Sequence, residues 1–124
     1  MRMSNKSKRI PMYIDGSFTV YEIWNDPEKD YPLTELRLKS NPVAFTELQV
    51  FDRTKNDYKT NGIEVTKKIR TRPRRMAENQ FLKIDNQFYK VENAVTAVNS
   101  SGFMETDITL SKYTESYIVN EVAT

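Results

Sequence analysis

The sequence predicts an all-β fold, a small antiparallel β-barrel or sandwich with long loops and flexible termini. Short runs rich in β-branched and aromatic residues alternate with turn signals along most of the chain. Prolines at 27, 32 and 42 argue against a long helix in the stretch 25–42. The C-terminal half reads as two consecutive hairpins, a meander. Closure is expected, because an open sheet of this size leaves two bare edges.

The first strand is GSFTVYEIW (16–24), entered from the turn-like Asp15-Gly16. The polar stretch 25–42 follows, where Thr34 to Lys39 has room for one short helical turn. VAFTELQVF (43–51) reads as the second strand, and DRTKNDYKTNG (52–62) as a long polar loop before the third, IEVTKKIRT (63–71). On that third strand Ile63, Val65 and Ile69 share one face with the stem of Lys67. Glu64, Thr66, Lys68, Arg70 and Arg72 share the other. Pro73 ends the ladder, since it has no N–H to donate.

FLKIDNQFYKV (81–91) is a hairpin turning at Asp85-Asn86 or Asn86-Gln87, with Leu82 and Ile84 facing in and Tyr89 and Val91 returning. The returning strand continues through Val95 and Ala97. NSSG (99–102) supplies the next turn, and FMETDITLS (103–111) sets Met104, Thr106, Ile108 and Leu110 against Phe103, Glu105, Asp107 and Thr109. The pattern fades in KYTESYIVNEVAT, which reads as a tail or as a strand donated to a neighbour. The chain therefore divides into a flexible basic arm (1–11), a single barrel domain (12–112) and a C-terminal tail (113–124).

Composition narrows the function. The 124 residues fit one domain, only 38% of them are hydrophobic and the mean hydropathy is −0.69. Lys and Arg number 19 against 17 Asp and Glu, a formal charge of +2, so positive charge is local rather than global. With no cysteine and no histidine, the chain lacks disulfides, thiolate metal ligands and the commonest general base at neutral pH. No apolar run reaches the length of a membrane span, and the polar start MRMSNKSKR lacks the apolar segment of a signal peptide. A protein made in the cytoplasm, with no membrane partner, is expected.

Catalysis is not expected. Asp26, Glu28 and Asp30 crowd a proline-bearing loop, where acids are ordinarily solvated. Asp52, Asn56 and Asp57 lack the central glycine and terminal glutamate of a twelve-residue calcium loop. Gly16, Gly62 and Gly102 are too far apart to cradle a phosphate. No cofactor or metal is expected.

The candidate binding feature is KKIRTRPRR (67–75), which places Lys67, Lys68, Arg70, Arg72, Arg74 and Arg75 in nine residues without a carboxylate. Lys68, Arg70 and Arg72 project as a row about 7 Å apart on a strand, a spacing close to that of phosphates along one nucleic-acid strand. No aromatic residue for base stacking lies within 63–76. Three readings follow, in this order: docking on an acidic partner or subunit, protection of a sheet edge, and a grip on nucleic-acid phosphates. In the polar stretch 52–62, Lys55, Asn56, Asp57, Tyr58 and Lys59 form a candidate channel or contact loop, since long loops are disproportionately functional.

One resemblance adds to this. EIW (22–24), a variable polar region, a strand with a basic run in VTKKIRTRPRRM (65–76), and the hairpin FLKIDNQFYKVENAV (81–95) stand in an order that resembles the head-closure proteins of long-tailed bacteriophages, also called head–tail adaptors or stoppers. The resemblance spans roughly 16–112 and is most specific over 65–95. It implies a small barrel that assembles as a homo-oligomeric ring in the virion neck. The ring would join the portal or connector to tail proteins and help retain packaged DNA, after assembly in the host cytoplasm. On this sequence it implies that the loop near 52–62 projects into the channel, and that the six basic residues face a neighbouring subunit, an acidic connector surface or passing DNA. A tail-terminator or minor tail subunit is a related expectation. A small barrel that binds nucleic acid through 67–75 is the alternative.

Overall fold

The computed structural model describes residues 11–24, 34–60, 62, 64–76, 80–114 and 117–120. Among the described residues, eight strands and one helix follow in the order β1 (Gly16–Trp24), β2 (Thr34–Leu38), β3 (Val43–Leu48), α1 (Asp52–Lys59), β4 (Val65–Thr71), β5 (Gln80–Ile84), β6 (Gln87–Val98), β7 (Met104–Lys112) and β8 (Tyr117–Asn120). Antiparallel neighbours run β3-β4-β7-β6-β5-β1, and β1 pairs back onto β3 through Gly16↔Phe45, Ser17↔Ala44 and Phe18↔Val43. Six strands thus close into an antiparallel barrel. The second half of β1 also pairs with β2, from Tyr21↔Leu38 to Trp24↔Glu35, and β8 lies parallel to β2.

Alternation along the strands fills the barrel. Phe18, Val20, Phe45, Ile69, Leu82, Ile84, Ile108 and Leu110 point inward and are all at most 3% exposed. Burying each large side chain stabilises the fold by about 1.5–3 kcal/mol. The neighbours of two of these residues are buried as well. Tyr21 and Phe81 lie on the outer face with Phe88, and Leu36 of β2 completes a second apolar cluster there. Its rings meet edge to face, Tyr21 with Phe88 at 4.9 Å and Phe81 with Tyr113 at 4.7 Å. β1 and β5 are therefore buried on both faces, and β2 forms part of the cover over the outer one.

Turn chemistry matches the sequence where the turns are short. Asp85 and Asn86 both take positive φ, 49° and 65°, between Ile84 and its Cα partner Gln87. This is the two-residue hairpin that Asp and Asn tolerate. In NSSG the Asn99 Oδ1 accepts from the backbone N–H groups of Ser101 and Phe103, and Gly102 supplies the positive φ of 87°.

Four expectations are corrected. The polar stretch 52–62 is not a loop: 52–59 is an eight-residue helix. It contains no proline or glycine and places Lys59 in its last turn, and Gly62 follows with φ 78°. Thr34–Leu38 is a strand rather than a helical turn, because it pairs with β1. The C-terminal stretch is not only a tail, since 117–120 add β8 to this chain's own sheet. A bulge between Val91 and Asn93 then shifts the alternation of β6 by one residue, so Ala94 packs against the core and Val95 is 52% exposed. Residues 1–10 of the expected arm, 25–33 and Ile63 lie outside the described residues.

The turn carries a direct test. Replacing Asn86 with Val forces a β-branched residue to positive φ and is expected to lower the unfolding free energy by about 1–2 kcal/mol. Asn86→Gly is expected to raise the urea midpoint or leave it unchanged. A Val variant as stable as the parent would contradict the turn geometry.

Candidate functional site

The basic run lies on β4 and just beyond its end, and the position of β4 decides what the run is free to do. β4 is flanked by β3 on one side and β7 on the other, with ladders from Thr46↔Arg70 to Leu48↔Lys68 and from Val65↔Ser111 to Thr71↔Thr106. It is an interior strand. The edge-protection reading of the run is therefore corrected, because closure of the barrel leaves β4 no open edge to guard.

Lys67 faces inward near one end of the barrel. Its Nζ donates to Glu47 Oε1 at 3.0 Å and sits 5.9 Å from the centroid of the Tyr89 ring. Its stem lies on the inner face with Ile69, as the alternation predicts. The expectation for Val65 is corrected: a bulge between Val65 and Lys67 pairs Val65 with Ser111 and Lys67 with Leu110, which sets Val65 on the opposite face. On the opposite face, Arg70 donates through Nε to Asp107 Oδ1 at 2.7 Å and through Nη2 to Asp107 Oδ2 at 3.0 Å. This bidentate fork is the strong form of an ion pair. The hydrogen bond to Asp107 raises the Arg70 pKa above its ordinary value, against desolvation, with the charges of Asp107 and Glu105 adding to the rise.

Glu105 is the centre of this face. It is only 8% exposed, and it accepts from the Tyr13 hydroxyl at 2.7 Å and from Asn99 Nδ2 at 2.8 Å, with Arg70 Nε 3.9 Å away. Through Tyr13 the segment before β1 is tied across the barrel wall. Two further bonds continue the tie: Thr46 Oγ1 donates to the Met12 carbonyl at 3.1 Å, and the Glu47 N–H donates to Asp15 Oδ2 at 2.7 Å. Alternation on β7 places Glu105 and Asp107 together, but only the β4–β7 register brings them to Arg70. Tyr13 carries no sequence signal of its role.

The other members of the run are arranged differently. Lys68 is half-buried on the outer face, and Arg72 and Arg75 are exposed beyond it. Among the described residues none of the three makes an ion pair. Arg74 is fixed through its main chain: its N–H donates to Thr106 Oγ1 at 2.9 Å, and its carbonyl accepts from the same hydroxyl at 3.3 Å. Its side-chain Nε is buried without a hydrogen-bond partner among the described residues. Pro73, Arg74, Arg75 and Met76 line an open cleft with Ala94 and Thr96 of β6.

Lys55, Asn56, Asp57, Tyr58 and Lys59 all lie on α1, with Lys55, Asn56 and Lys59 exposed and Tyr58 half-buried. α1 enters the start of β4, whereas Arg72, Arg74 and Arg75 follow its end. The seven residues of β4 separate the two groups by about 20 Å. The structure does not bring them together. Among the described residues no helix is long and apolar enough to cross a membrane.

The Tyr13–Glu105 contact predicts an alkaline titration. Desolvation first, then the hydrogen bond to Glu105 and its charge, push the Tyr13 phenol from 10.0 to about 12, against the opposing charges of Arg72 and Arg70. The folded state thus holds this proton more tightly than the unfolded chain. Its stabilisation is complete below pH 10 and is lost as pH rises toward 12. Ultraviolet titration of the phenols is expected to lose a component near pH 12 in Tyr13→Phe. An unchanged titration curve would contradict the contact.

A scan against protein-family models finds no match, and a search of curated proteins finds no significant relative.

Proposed function

We propose that the chain is a subunit of a phage neck ring, a structural protein that joins the portal or connector to the tail and helps retain packaged DNA. The observation that carries this reading is the division of the basic run. Lys67 and Arg70 are engaged by Glu47 and Asp107 of the barrel itself. Arg72, Arg74 and Arg75 leave the end of β4 without an acid from the described residues. A continuous row of phosphate contacts needs Arg70, which is already forked to a carboxylate. A docking face at one end of the barrel does not need it. The order of motifs over 65–95 supplies the resemblance to head-closure proteins, and the closed barrel offers its outer surface and ends for assembly.

Deleting the gene in the phage that encodes this protein is expected to give DNA-filled heads that lose their DNA or fail to take tails. Tailed, infectious particles from the deletion would overturn the reading.

The nucleic-acid alternative has Lys68 and Arg72 in its favour, neither in an ion pair among the described residues, one on β4 and one just past its end. Each phosphate neutralised on duplex DNA adds about 0.9 to the slope of log affinity against log salt. The docking reading predicts weak duplex binding near physiological salt. Tight binding with a slope of several units, lost in the Arg70→Ala/Arg72→Ala double variant, would replace it.

A further inference from the structure

β6 is twelve residues long, but β5 pairs with it only from Gln87 to Lys90. From Val91 to Val98 its β5-side edge has no partner among the described residues, while the other edge is held by β7 as far as Val98↔Met104. Exposed edges of this length are ordinarily guarded by lysine, proline or charge. The segment VENAVTAV (91–98) holds one charge, Glu92, and that carboxylate already accepts from the Ser111 hydroxyl. Val95 and Val98 are 52% and 63% exposed. The bulge after Val91 is a partial guard.

The arginines stand beside this edge. The chain leaving β4 crosses the face of β6 that carries Ala94 and Thr96, and the cleft between them is lined by Arg74 and Arg75. A chain of hydroxyls fixes the crossing. Thr96 Oγ1 lies 2.7 Å from Thr106 Oγ1, which in turn bonds both main-chain groups of Arg74. Arg74 Nε is a buried donor with no acceptor among the described residues, a costly arrangement that an incoming carboxylate relieves.

We propose that the edge of β6 over Val91–Val98, unpaired among the described residues, receives an extended acidic segment of a partner protein by strand addition, its carboxylates facing Arg74 and Arg75. Backbone hydrogen bonds supply the pairing and alternate side chains the selectivity. Side chains of the added strand on the Ala94–Thr96 face meet the arginine cleft and are acidic. Those on the other face lie beside Val95 and Ala97 and are apolar. The partner segment therefore alternates acid and aliphatic residues with a period of two. Charge decides the occupant: a second copy of this edge brings only Glu92, already engaged, and leaves the arginines without counter-charge. The inference rests on the docking reading above and names the chemistry of the docked partner.

The test is an NMR titration of the full-length, isotope-labelled protein with a capped peptide of alternating Glu and Val. The controls are a Lys-Val counterpart and a short DNA duplex. Saturable amide shifts confined to 91–98 and the neighbouring 74–76 are expected. Arg75→Gln, at an exposed position, is expected to weaken binding about tenfold, with the rest of the spectrum unchanged. Absence of binding, shifts centred elsewhere, equal binding of the Lys-Val peptide, or displacement of the acidic peptide by duplex would each overturn the proposal. Loss of the peptide site leaves the gene-deletion test of the neck role standing, and failure of that test leaves the peptide site standing, so the two failures are distinguishable.

Discussion

β1 closes the barrel by dividing its length among three partners. Gly16 to Phe18 pair with β3, Thr19 to Glu22 pair with β5, and Tyr21 to Trp24 pair with β2. The join to β3 is short, only three Cα pairs, and is packed tightly: a Cβ at Gly16 would come within 3.1 Å of the Phe45 ring. Asp15 reinforces it, its N–H donating to the Phe45 carbonyl at 3.0 Å. An open sheet ending at β3 would have left the wall of β4 and β3 near an edge. Closure instead makes β4 an interior strand and assigns a separate fate to each cation on it.

Those fates connect the core to the surface chemistry. Lys67 caps one end of the inner face with Glu47, and Arg70 neutralises a pair of carboxylates that β7 would otherwise hold close together. Glu105, the more buried of the two, is satisfied by hydrogen bonds from Tyr13 and Asn99 as well. Two of the six cations, Lys67 and Arg70, thus belong to the stability of the barrel. Three others, Arg72, Arg74 and Arg75, emerge where the ladder stops at Thr71, beside the part of β6 that runs past the described residues of β5. The proposed docking surface lies where β6 continues past the described residues of β5.

Local signals were legible and nonlocal ones were not. The Asp85-Asn86 turn, the NSSG turn, the inward row Thr106, Ile108 and Leu110, and the inward stem of Lys67 all follow from two-residue alternation and turn chemistry. α1 escaped because DRTKNDYK is polar around its whole circumference and offers no apolar period to detect. The second apolar cluster escaped because alternation assumes one buried face, whereas Val20-Tyr21 and Phe81-Leu82 are buried on both. The bulge in β6 inverted the faces beyond Val91, which no residue type there announces. At the candidate site the six cations were legible as a group. Their division was not, since Asp107 reaches Arg70 across 37 residues of sequence.

That division is the central claim, and the direct measurement is urea unfolding of Arg70→Gln beside Arg72→Gln. The Arg70 variant strips a bidentate partner from Asp107 and is predicted to lose on the order of 1–3 kcal/mol. The Arg72 variant touches an exposed side chain without an ion pair and is predicted to stay within about 0.5 kcal/mol of the parent. Equal losses, or a larger loss at Arg72, would contradict the account.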